Sequence, residues 1–155
     1  MKDIIAELTP YSNKEKLLRY AKDLIEYSDI IDIPDAPLGM PSPSSSIISC
    51  LVKDKFDSAN IITNLRLLDI NRLNLINTIT ALKMNQINNF LLVRGDLPQV
   101  GKKIDDITPD EAIDIIRSKY IDTNLGLLLN LNKPIREIND RIERRASFYL
   151  ITRPW

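Results

Sequence analysis

Histidine is absent from this 155-residue chain, and cysteine occurs once. Without histidine there is no Ser-His-Asp or Cys-His arrangement, and with a single thiol no usual zinc site either, so no metal site is expected. Proton transfer has to fall to carboxylates, lysine or tyrosine. The lone Cys50 excludes an internal disulfide and fits a reducing, cytoplasmic setting. Flanked by Ile47, Ile48, Leu51 and Val52, it reads as a small core residue rather than a reactive thiol. Glycine is scarce, at four residues, and the chain holds no G-x-G-x-x-G, no Walker A loop and no G-x-S-x-G elbow. That disfavours a Rossmann dehydrogenase, a P-loop enzyme and an α/β-hydrolase. An excess of either charge is missing too: 21 basic residues balance 21 acidic ones and the pI is about 6.3. Nothing electrostatic therefore points to nucleic acid or an anionic membrane as a partner. No apolar run approaches the length of a membrane span, and Met1-Lys2-Asp3 opens no signal-peptide core.

What is present is a repeated pattern of short apolar strands and amphipathic helices. With 44% hydrophobic and 27% charged residues the chain can bury one sizeable core, and a single domain over 1–155 is expected. Ile4 to Thr9 reads as a strand ending at Pro10; Ser12 and Glu15 form a capping box before a helix whose inner face is Leu17, Leu18, Ala21, Leu24 and Ile25. Ile30 to Ile33 is a second strand, stopped by Pro34. A loop from Asp35 to Ser46 leads into a helix of about 46–53, and its serines 44–46 suit either a helix cap or a phosphate site at the helix amino terminus. Asn60 to Leu65 is the third strand, followed by a helix from about Asn71 to Met84 facing inward with Leu75, Ile76, Ile79 and Leu82. The fourth strand, Phe90 to Val93, breaks into Arg94-Gly95-Asp96. Thr108-Pro109-Asp110-Glu111 then starts a helix with its cap, a proline at the first position and a reciprocal glutamate. Leu125 to Leu131 is a fifth strand, 134–145 a helix and Phe148 to Thr152 a sixth strand.

Such alternation is the signature of βα units around a parallel sheet, either a doubly wound open sheet or a β/α barrel. Glu7, Asp35, Arg66, Asp69, Arg94, Asp96 and Arg153 all lie just past apolar strands in successive units. Charges gathered at one end of every strand favour a barrel mouth, where all strands serve one site, over a sheet with a single crevice. A complete barrel of this type takes about 250 residues. The expectation is therefore an α/β fold of TIM-barrel type, incomplete at about six strand-helix units. Its open edges should be covered by a second copy or another subunit.

Several segments occur in the order and spacing of a known family: Glu7 in Ala-Glu-Leu-Thr-Pro, Asp35 in Ile-Pro-Asp-Ala-Pro, the run from Asn64 to Arg72, and Leu92-Val-Arg-Gly-Asp-Leu-Pro98. Together they resemble the methylenetetrahydrofolate reductase family, in particular its small bacterial and archaeal branch, over essentially the whole chain. The resemblance implies a flavin-dependent reductase with FAD, or FMN, as cofactor. It would pass a hydride to a methylene group on a reduced pterin, of folate or methanopterin type, giving the methyl form used in methionine synthesis. By position, Glu7 matches the family's acid, and a carboxyl at the end of a buried strand should have its pKa raised. Asp96 matches the aspartate near flavin ring and pterin, and the resemblance implies that Glu7 and Asp96 converge on one pocket. Arg94, with Gly95 beside it, matches a flavin-contacting arginine; Arg141 stands nearest a lysine that neutralises a cofactor phosphate. Asn64 replaces a histidine at a flavin position, Arg153 a substrate-contacting glutamine and Pro34 a threonine. Asp35 and Asp69 complete the expected substrate contacts. The alternative is a non-catalytic pterin-binding or assembly subunit that has lost the flavin.

Overall fold

In the computed structural model, residues 4–144 and 146–152 are described. The elements alternate as β1 (Ile5–Glu7), α1 (Lys14–Tyr27), β2 (Ile30–Ile33), α2 (Ser45–Lys55), β3 (Ile61–Arg66), α3 (Arg72–Met84), β4 (Asn89–Val93), α4 (Pro109–Lys119), β5 (Asn124–Asn130), α5 (Ile135–Glu143) and β6 (Phe148–Thr152). All six strands are parallel, and each pairs with its neighbour in chain order from β1 to β6. A doubly wound sheet reverses its order partway. Here every crossover steps the same way, which puts the helices on one face and curls the sheet into a half-barrel.

Alternation along the strands then decides what each residue faces. Ile31, Ile33 and Ile61 pack with Leu17, Ala21, Ile48 and Val52 of α1 and α2. Leu65, Phe90, Leu92, Leu125 and Leu127 pack with Leu75, Ile79 and Leu82 of α3 and with Ala112, Ile113 and Ile116 of α4. The intervening residues Asp32, Asn64, Arg66, Val93 and Leu128 are left on the concave side. At the amino ends of the strands a ladder of amides ties β3, β4 and β5 together. Asn124 Nδ2 donates to Asn89 Oδ1 at 2.8 Å, and Asn89 Nδ2 donates to Asn60 Oδ1 at 3.0 Å.

Local signals were mostly kept. Thr108 and Glu111 form the expected capping box. α1 is capped one residue later than Ser12 implied: Asn13 Oδ1 accepts from Lys16 N at 2.8 Å, because Asn13 is the residue whose extended backbone leads into the first turn. The serines at the start of α2 are bonded within the protein. Ser45 is buried, its hydroxyl donating to the Asn64 carbonyl at 2.6 Å, and Ser44 and Ser46 bond each other at 2.7 Å. Cys50 is half-buried against the core, and burial pushes its thiol pKa up. No helix among the described residues is long and apolar enough to cross a membrane.

Candidate functional site

The carboxyl ends of β2 to β5 surround a cleft of about 510 Å³. Its floor is half apolar, from Val93 and Leu128, and half polar, from Asn64 and Arg66; its wall includes Asp35, Arg94, Gly95, Asp96, Thr108, Asp110 and Arg141. Two loops close one side. The Gln99 amide donates to the Gly39 carbonyl at 2.9 Å, joining the segment after β2 to the segment after β4. Gly39 holds φ +73°, and a Cβ there would stand 2.1 Å from the Leu97 carbonyl oxygen. Beside it Leu38, at φ +58°, lines the cleft although 74% exposed.

Arg66 is the best-buried charge on this face, 1% exposed at the end of β3. Its Nε is ion-paired with Asp69, and its Nη2 donates to the other Asp69 oxygen at 3.4 Å. Gly95 covers it from the β4 side. A guanidinium this deep persists only because a carboxylate answers its charge, so Asp69 serves Arg66 before any ligand. Asp35 is similarly engaged: its carboxylate accepts from Arg66 N at 3.3 Å and Ser45 N at 3.4 Å, while burial raises its pKa. Asp35 therefore pins the β2 loop to β3 as well as lining the cleft.

The remaining expected residues divide. Asn64, Arg94, Gly95, Asp96, Arg141 and Asp35 do gather at one cleft. Arg94 sits at its rim and donates to Asp105 at 2.9 Å, with Lys103 on the same carboxylate. Arg141 reaches across from α5 to Asp110 at 3.1 Å and donates to the Leu128 carbonyl at 3.2 Å, so its charge is partly answered within the protein. Asp96 is exposed at the lip, with no hydrogen-bond partner among the described residues. Glu7 departs from expectation. It is exposed rather than buried and does not line the cleft, because β1 is an edge strand with water along its free side. The carboxyl it faces is Asp32, its register partner on β2. Arg153 lies outside the described residues.

Asp32 is the residue that sequence reading missed. It is 7% exposed, accepts from Asn64 Nδ2 at 3.3 Å, and has its pKa pushed up to about 6, chiefly by burial, against the lowering effect of the Asn64 bond and with a smaller push from the Glu7 charge. The signal was available in strand phase: Asp32, and Asn64 and Arg66 two apart, all occupy the face turned away from the helices.

No protein-family model matches this chain, and no curated protein matches it. Solved structures do. An uncharacterized protein from Clostridium thermocellum that binds two copies of 5-methyl-5,6,7,8-tetrahydrofolic acid superposes with a TM-score of 0.65 at 15% identity, over 97% of this chain and 54% of that one. 3-Hexulose-6-phosphate synthase superposes with a TM-score of 0.60 at 14% identity, over 97% of this chain and 68% of that one. The chain thus spans about half the length of the first of these proteins. At such identities the likeness establishes one thing, the parallel β/α half-barrel fold.

Proposed function

We propose that the cleft at the strand ends binds a reduced pterin carrying a one-carbon unit, and that the chemistry done there is flavin-dependent reduction of the methylene to the methyl form. The observation that carries the binding half is the cleft itself: a half-apolar floor beside buried polar groups, deep enough for the pterin ring and open at a lip where a second ring could lie. The neighbour that binds 5-methyltetrahydrofolate on the same fold supports it. A bound flavin would supply the hydride. Arg94 and Gly95 would hold its ring at the lip, with Arg141 toward its phosphate, leaving the floor residues Asn64, Val93 and Leu128 to the pterin. Asp96, at the same lip, can accept hydrogen bonds from amino groups of the pterin. Glu7 is the acid proposed for pterin protonation.

A second reading, binding without turnover, is favoured by two observations. The cations meant for a flavin are already paired, Arg94 with Asp105 and Arg141 with Asp110, and Glu7 stands off the cleft. One experiment separates the readings. Calorimetry with 5-methyltetrahydrofolate should show saturable one-site binding under both; a flavin absorbance band that bleaches on reduction and recovers with methylene-tetrahydrofolate, and fails to recover in Glu7→Gln, is expected under the first alone. Absence of pterin heat would sink both.

The outer edges of β1 and β6, unpaired among the described residues, belong to the same proposal. Unpaired strand edges invite pairing with another chain, and we assign their cover to a second copy or a partner subunit. Light scattering on the purified chain should give at least twice the 17.7 kDa monomer mass; a monodisperse monomer would leave only the partner subunit, and a monomer with every candidate partner absent from the native complex would end the idea.

A further inference from the structure

Three side chains on the concave face of β2 and β3 are buried, yet each keeps one hydrogen-bonding atom without a partner among the described residues: Asp32 Oδ1, Asn64 Oδ1 and Arg66 Nη1. They are 7%, 8% and 1% exposed. A buried polar atom left unpaired costs about 1–3 kcal/mol. Three of them at one wall are not what packing alone retains, and Asn64 and Arg66 both line the cleft.

Their other bonds fix which atoms are left over. Asp69 takes Arg66 Nε and Nη2, so Nη1 remains as a donor. Asn64 Nδ2 donates to Asp32 Oδ2, which turns Asn64 Oδ1 and leaves Asp32 Oδ1 as acceptors. At the cleft the wall therefore offers one cationic donor, Arg66 Nη1, and one acceptor, Asn64 Oδ1, beside the apolar floor of Val93 and Leu128; Asp32 stands behind Asn64 and does not line the cleft. A phosphate suits the donor but is repelled by the acceptor and by the carboxylate behind it. The complementary ligand is a flat ring whose edge presents one acceptor beside one donor.

The 2-amino-4-oxopyrimidine half of a pterin has that edge: the C4 carbonyl beside the N3–H. We infer that Arg66 and Asn64 read this edge, Arg66 donating to the C4 carbonyl while Asn64, its amide oriented by Asp32, accepts from N3–H. The assignment rests on the reduced-pterin reading of the cleft and adds to it that the ring is recognised from β3, with Asp96 at the lip free for the amino groups and the rest of the ligand. Glu7 on β1 is the other ionisable group that faces Asp32; measurements at pH 8 keep Asp32 an acceptor.

The test compares two ligands on the wild-type chain by calorimetry at pH 8: 5-methyltetrahydrofolate and its 4-amino-4-deoxy analogue. The analogue replaces the carbonyl acceptor by an amino donor and removes N3–H, so it opposes donor to donor and acceptor to acceptor. It should bind about 100-fold more weakly, as a charge-assisted hydrogen bond replaced by a clash implies. In Asn64→Leu, checked for native circular dichroism, the gap should shrink to about tenfold or less. Equal affinities for the two ligands overturn the inference and leave the pterin reading standing, as does an unchanged gap in Asn64→Leu. No binding of either ligand overturns both.

Discussion

Asp32→Asn is expected to stabilise the protein at pH 8 by on the order of 2 to 3 kcal/mol while changing its stability at pH 4 by no more than about 0.5 kcal/mol. The sign follows from the direction of the shift. Burial raises the Asp32 carboxyl from an ordinary 3.8 to about 6, so the folded state favours the protonated form. That contribution is complete below the unfolded-state value and is lost as pH climbs through about 6; above it the fold holds a poorly solvated charge. Asparagine is nearly isosteric and cannot ionise. Its oxygen can still accept from Asn64 Nδ2, and its amide can donate to Asn64 Oδ1, which has no partner in the wild type. Urea unfolding of both proteins at the two pH values measures the difference directly. A gain of the same size at both pH values, or a loss at pH 8, would show that Asp32 is not a buried charge tolerated at a cost. If the gain is found, a carboxylate that weakens the fold near neutrality is better explained by the cleft-lining amide it orients, Asn64, than by packing.

Gly95→Ala should be a severely damaging small substitution at the mouth, removing on the order of 3 kcal/mol and abolishing ligand binding. Two effects add. Gly95 holds φ +85°, a region in which a residue with a Cβ is strained by about 1 kcal/mol or more. The added Cβ would also stand 2.7 Å from Arg66 Cγ and 2.8 Å from Arg66 Nη1. Arg66 is buried and cannot swing aside without leaving Asp69, so the collision is relieved only by moving the turn or breaking the ion pair. Gly101→Ala is the control. That glycine has almost the same backbone angle, φ +84°, with nothing within 4 Å of the new carbon. It should lose only the backbone part, about 1 kcal/mol. Denaturant midpoints for the two variants should therefore differ clearly. Equal losses would mean that Arg66 does not pass beneath Gly95 as described.

The same glycine shows where sequence reading reaches its limit. The Arg94-Gly95-Asp96 turn was legible as the end of a buried strand, and Gly95 was expected among cofactor contacts. What it meets in the structure is Arg66, 29 residues away in a neighbouring strand, and nothing local encodes that approach. The strands and helices were legible because their signals are local: Pro34 stops a strand, Thr108 with Glu111 starts a helix, and period-two and period-3.6 apolar patterns do the rest, although β1 ends at Glu7, short of Pro10. The choice of half-barrel over doubly wound sheet was legible from charges recurring after each strand. Glu7 misled because a short apolar run looks the same whether its strand is central or at an edge, and only pairing decides exposure. Asp32 was passed over for the converse reason: flanked by three isoleucines, it reads as part of a continuous apolar strand unless its phase is compared with Asn64 and Arg66 on the next one.

Because the sheet is wound strictly in chain order, each strand leans only on the two beside it, and resistance to opening should be graded from the margins inward. β3 and β4 lie at the middle of that gradient, clasped on both sides. Asn64, Arg66, Val93 and Gly95 thus sit on the part of the backbone least given to fraying, so the chain can breathe at its outer strands while the geometry of the cleft floor stays intact.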